Sequence, residues 1–176
     1  MIQQTPTDKL MYVYNNIIQL IVQFERYGAC HDTSAMLYVL AKEIGFNAEI
    51  FIGEVYSADH GKYFDHSWVS IDGFIYDPAI GYPLPESEGG KYVCGPVYAS
   101  IDITAKSAPS VVYASNSPVG LGEPAITVST QTLAEYDDST KSQIWSLSSH
   151  FAYYIGISVS ENELERKYGG IYRTVV

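Results

Sequence analysis

A chain of 176 residues with 47% hydrophobic and 17% charged residues has the length and apolar content for a single folded domain, residues 1–176. Ten Lys plus Arg against twenty Asp plus Glu leave a formal charge of −10. That balance speaks against nucleic acid or an anionic lipid surface as a partner, because both require clustered cations. No apolar run approaches the roughly 20 residues of a membrane span. The opening Met1-Ile2-Gln3-Gln4-Thr5-Pro6 lacks the basic start and apolar run of a secretory signal. With only Cys30 and Cys94 there is no disulfide framework, and a reducing cytoplasm holding at least one functional thiol is expected.

From Asp8 to about Phe24, Leu10, Met11, Tyr14, Ile17, Ile18 and Ile21 recur at helical spacing, with Thr7 or Asp8 as the cap. A second helix starts near Cys30 and runs through Thr33 to Ile44, and Gly45 terminates it. Residues 46–56 are rich in β-branched and aromatic residues and read as a strand. Residues 57–63 read as a polar loop. A hairpin is expected from His66 to Ile71 and Phe74 to Asp77, because Asp72-Gly73 between two apolar runs is a strong turn signal. Further strands are expected at 92–103, 110–114 and 125–128. The acidic 86–88 and 135–138 segments read as solvated loops. Residues 139–157 read as a helix, and Ser160-Glu161-Asn162-Glu163 is a capping box that opens a last one.

Three residues carry chemistry. With Asp72-Gly73 at the turn, Ile71 faces Phe74, and the same register carried outward sets Trp68 opposite Asp77 and His66 opposite Ala79. These four side chains then share one face. His66 and Asp77 become diagonal neighbours with Cα atoms about 7–8 Å apart, which an imidazole and a carboxylate can bridge. Cys30, in Gly28-Ala29-Cys30-His31-Asp32, falls at a helix start, where free amides and the helix dipole favour a thiolate. In that arrangement His66 is the base, Asp77 holds its tautomer, and the Cys30 or His31 amide faces a developing oxyanion. Gln19, Gln23 and Tyr27 are side-chain candidates for a second oxyanion donor by position alone. His31 is a candidate for tuning the thiol, and Trp68 for supporting the hairpin. Cys94 shows no helix start and reads as a structural thiol. The Cys and His residues are too scattered for a zinc site, so neither metal nor cofactor is expected.

The motifs Gly28-Ala29-Cys30, Ile44-Gly45-Phe46, His66-Ser67-Trp68 and Tyr76-Asp77-Pro78, in this order, resemble the transglutaminase-like branch of the papain-like cysteine proteases. The resemblance spans residues 24–80. It implies an α+β fold with a papain-like (transglutaminase-like) core at residues 8–80, in which the catalytic Cys at a helix N-terminus packs on an antiparallel sheet. Residues 81–176 match no pattern of that family and are expected to set the substrate. The implied activity is that of a cysteine protease or amidase, or of an acyltransferase. It would act through a thioacyl intermediate on an amide or isopeptide bond in a peptide, protein or small amide. Arylamine N-acetyltransferase-like chemistry and a non-catalytic binding module on the same scaffold are the alternatives.

Overall fold

The computed structural model describes residues 4–176; the first three residues of the segment read for a leader signal lie outside that range. The fold is α+β. Helix α1 (Pro6–Gln23) starts two residues earlier than the periodicity predicts. Thr5 is its cap, Pro6 takes the first turn, and Asp8 Oδ2 accepts from the Thr5 amide, so the capping box overrides the first apolar residue as the start signal. Helix α2 (Cys30–Ile44) is buried along most of its length and ends at Gly45, whose φ of 107° is left-handed.

A curled, mostly antiparallel sheet follows. Strand β1 (Ala48–Ser57) pairs with β2 (Lys62–Ile71), and β2 pairs with β3 (Phe74–Tyr76). The second strand therefore begins inside the segment predicted as a polar loop: Tyr63 and Phe64 pair with Tyr56 and Val55 and extend the hairpin. The hairpin register is the expected one, with Ile71 opposite Phe74 and Val69 opposite Tyr76. Pairing stops there. Asp77 turns away from Trp68 and exchanges both backbone hydrogen bonds with Val97, at 2.8 and 2.9 Å.

The second half departs furthest from expectation. In place of one strand over 92–103 there is a small hairpin of β4 (Val97–Tyr98) and β5 (Ile101–Asp102). Strand β6 (Val111–Ser115) joins the free edge of β1. The run Ala125-Ile126-Thr127-Val128, read as a strand, is the middle of helix α3 (Glu123–Ser129). Pro124 in its first turn, and burial of Ala125 alone among its residues, outweigh the β-branched composition. The acidic 135–138 stretch lies inside helix α4 (Leu133–Thr140), capped by Thr132 and Glu135. The helix expected over 139–157 is interrupted by Lys141 and Gln143, both at positive φ, before α5 (Ile144–Tyr154) begins. Helix α6 (Glu161–Tyr168) has the expected capping box. Strand β7 (Thr174–Val175) pairs in parallel with Phe51 and Ile52 on the same edge as β6.

Two cores result. The helices close on Ile50, Val69 and Ile71 from one face of the sheet, joined by Leu133, Ile144 and Phe151. The other face holds a smaller cluster of Val55, Trp68, Ile80, Cys94, Val97 and Val111. Among the described residues, no helix is long and apolar enough to cross a membrane.

Candidate active site

Asp77 is fixed from every side. Its backbone is paired with Val97, and its carbonyl also accepts from the Tyr14 hydroxyl at 3.3 Å. Its Oδ1 accepts the amides of Ala79 and Ile80, both at 3.1 Å. Its Oδ2 accepts His66 Nε2–H at 2.7 Å and the Tyr113 hydroxyl at 2.9 Å. A carboxylate has acceptor sites only, so the 2.7 Å contact assigns the proton on Nε2 and leaves Nδ1 as the nitrogen available to sulfur. Asp77 is 1% exposed and His66 6%. A buried carboxylate with four donors is a satisfied ion, and it imposes one tautomer and one orientation on the ring.

Cys30 is the first residue of α2 and 7% exposed. Ala29 at the cap position offers no side-chain acceptor to the first-turn amides. Those amides, with the positive end of the helix dipole, lie beside the sulfur. Two imidazoles act on the thiol. His31 Nδ1 is 3.8 Å from Sγ and shares a 2.7 Å hydrogen bond with the Ser67 hydroxyl. Burial opposes ionisation of Cys30, but the charges of His31 and His66, with the His31 contact, outweigh it and pull the thiol well below its ordinary value. Burial likewise opposes charging of His66, but the charges of Asp77 and then Cys30, with the Asp77 hydrogen bond, hold the ring well above an ordinary imidazole. Both shifts point to a thiolate–imidazolium pair.

Tyr113 is kept protonated by burial and by the Asp77 charge, so it remains a donor. Cys94 is the contrast. It is a free thiol like Cys30, but burial and the charges of Asp77 and Asp102 push it up to about 12.

The structure thus brings together Cys30, His66, Asp77 and His31. Trp68 is 3% exposed, stacks on Phe51 and packs against Tyr113 with ring centres 5.1 Å apart, a supporting position behind the pair. Gln19, Gln23 and Tyr27 are not brought to the site: all three are exposed, and none lines the cleft. On α1 the apolar positions that pack inward leave both glutamines on the solvent side. Tyr113, Ser67 and Arg173 at the site escaped the sequence reading. Ser67 lay within the His-Ser-Trp motif, and its alternation with His66 could have flagged it as facing the helix side.

Cys30 and His66 open into a cleft of about 320 Å³ walled by Phe64, Ile80, Tyr82 and Leu84. Gly28, at φ +74°, lets Leu84 approach so closely that a β-carbon there would lie 2.7 Å from it. No cluster of three or more His, Cys, Asp or Glu side chains among the described residues is arranged to hold a metal ion. Comparison of the chain with protein-family models, with curated proteins and with solved structures returns no match.

Proposed function

We propose that this protein is a cysteine-nucleophile acyl-transfer enzyme of the transglutaminase-like, papain-like kind, acting on an amide or isopeptide bond. The observation that carries the reading is the buried His66–Asp77 pair, 2.7 Å apart, beside a helix-start thiol drawn toward its ionised form. The packing of α2 against β2 fits a papain-like core.

In this reading the Cys30 thiolate attacks the substrate carbonyl carbon, and the carbonyl electrons move to oxygen. The first-turn amides of α2 receive that oxyanion. Collapse of the tetrahedral adduct breaks the C–N bond, and the His66 imidazolium gives its proton to the departing amine. Neutral His66 then takes a proton from water, for hydrolysis, or from an amine, for transamidation. The Cys30 thiolate leaves as the acyl group passes on. Asp77 holds Nε2–H throughout and stabilises the charged ring. The apolar walls of the cleft, with Phe64, Ile80, Tyr82 and Leu84, suit a peptide or protein segment more than a small polar amide.

The test is acyl-enzyme capture. Peptides carrying glutamine or isopeptide bonds are incubated with the protein, with hydroxylamine as the acceptor in a parallel series. Intact-mass spectrometry should find an acyl adduct on Cys30 that hydroxylamine discharges and that Cys30→Ala abolishes. An adduct retained in the folded Cys30→Ala protein would defeat the proposal.

A further inference from the structure

Arg173, just before β7, is 3% exposed. Its Nη2 donates to the His31 carbonyl at 2.9 Å. Its guanidinium carbon lies 4.6 Å from the centre of the Tyr136 ring. The Tyr136 hydroxyl in turn donates to Asp32 Oδ1, which also accepts from Ser142 at 2.9 Å. The donors on Nε and Nη1 of the guanidinium are buried without a hydrogen-bond partner among the described residues. Burying a charge whose donors are mostly unmatched costs folding free energy, and an apolar side chain would fill such a site at lower cost. The segment does not need the charge to stay in place, because Thr174 and Val175 pair with β1 and the Val176 amide donates to Ile52. What the guanidinium does hold is the turn that carries the nucleophile, since His31 directly follows Cys30.

We infer that Arg173 is a positioning residue for Cys30. Its hydrogen bond to the His31 carbonyl fixes the first turn of α2, and its buried positive charge favours the thiolate. The inference rests on the nucleophile reading above. The charged and titratable groups around the thiol are His31 and Asp32 on α2, His66 and Asp65 on β2, Asp77 after β3, Tyr136 on α4, and Arg26 before α2. Asp32 is engaged by Tyr136, Ser142 and Arg26, the last at 3.9 Å. Arg173 is the buried guanidinium bonded to the first turn of α2, at the His31 carbonyl. Burial weakens the hold of Arg173 on its proton, and the charges of Tyr136, Cys30 and Asp32 act in the opposite direction.

Two measurements test the inference. In the first, iodoacetamide labelling of Cys30 at about pH 6 is compared among wild type, Arg173→Gln and Arg173→Lys, with folding followed by thermal melts. Arg173→Gln should label about three- to tenfold more slowly, and Arg173→Lys should recover most of the loss because it keeps the charge. A folded Arg173→Gln protein that labels at the wild-type rate overturns the inference, because a purely structural role would lower Tm and leave the labelling rate alone. The second measurement leaves Arg173 intact: the ¹⁵Nε resonance of Arg173 is followed against pH in wild type and in Cys30→Ser. It should move with the Cys30 titration in the first and stay flat in the second; no coincident movement in wild type overturns the inference even where Arg173→Gln does not fold. A wild-type Cys30 that titrates at an ordinary thiol value would instead defeat the nucleophile reading itself.

Discussion

Replacing Asp77 by Asn tests the arrangement through its hydrogen bonds. Asp77 Oδ1 accepts two backbone amides and Oδ2 accepts His66 and Tyr113. An asparagine carries one oxygen and one NH₂ in the same positions. Turning its NH₂ toward Ala79 and Ile80 would oppose donor to donor, so the oxygen stays with the amides and the NH₂ faces His66. Nε2 must then accept, the ring proton moves to Nδ1, and the nitrogen facing the sulfur is no longer a base. The wrong tautomer in a triad of this kind lowers turnover by about 10⁴-fold. Loss of the carboxylate also releases His66 from the charged state, which removes one of the two imidazoles acting on Cys30. A thiol relaxed fully to about pKa 8.5 would be only about 0.3% ionised at about pH 6. With His31 still in place the relaxation is partial, and labelling of Cys30 by iodoacetamide at that pH should fall about 10- to 100-fold. The two amide bonds survive, so the stability cost should be about 1–3 kcal/mol, read from a thermal melt. A folded Asp77→Asn protein that labels at the wild-type rate would show that the Asp77 carboxylate does not control the Cys30 thiol.

Tyr113→Phe removes one donor from Oδ2 and leaves the His66 bond, so it should lower turnover modestly, about 3- to 10-fold, with little change in KM. A KM effect alone would place Tyr113 in substrate binding. Cys94 serves as an internal reference: with its pKa pushed up to about 12, at neutral pH only about 10⁻⁵ of it is thiolate. Peptide mapping after labelling should find Cys30 ahead by at least about two orders of magnitude, even after the greater nucleophilicity of a basic thiolate is counted. The pH profile of kcat/KM should be a broad bell. Its acid limb reports protonation of Cys30, below the ordinary thiol range, and its alkaline limb reports deprotonation of His66, above the ordinary imidazole range. A single optimum narrower than the gap between ordinary imidazole and thiol values would contradict both directions. Gly28→Ala forces a left-handed residue against Leu84 and should cost about 1–2 kcal/mol in the melt, with the cleft lip beside Cys30 displaced.

Local signals in the sequence reached the site only as far as adjacent residues could encode it. Asp72-Gly73 set the hairpin register, and the Gly28–Asp32 stretch placed Cys30 at a helix start, because turn chemistry and helix periodicity are short-range. The same local logic overextended β3: nothing near Asp77 announces that Val97, twenty residues on, takes its backbone hydrogen bonds. Tyr113 and Arg173 were invisible for the same reason, since each reaches the site through a strand added to the edge of β1. Gln19 and Gln23 are near Cys30 in the sequence by position alone, and the amphipathic face of α1 turns them to solvent. The α3 segment shows the reverse case, where a β-branched run is held helical by Pro124 and by the Thr127 hydroxyl bonding to the Glu123 carbonyl.

In the proposed mechanism Cys30 is ionised through His66 and Asp77, and the thiol's own titration tests this. Its most direct measurement is the ultraviolet thiolate absorbance of the resting protein against pH, taken as the difference between wild type and Cys30→Ser. The expected Cys30 midpoint lies well below that of a free thiol and moves upward in His66→Gln. A midpoint at or above the ordinary thiol value, or one that His66→Gln leaves in place, would contradict it.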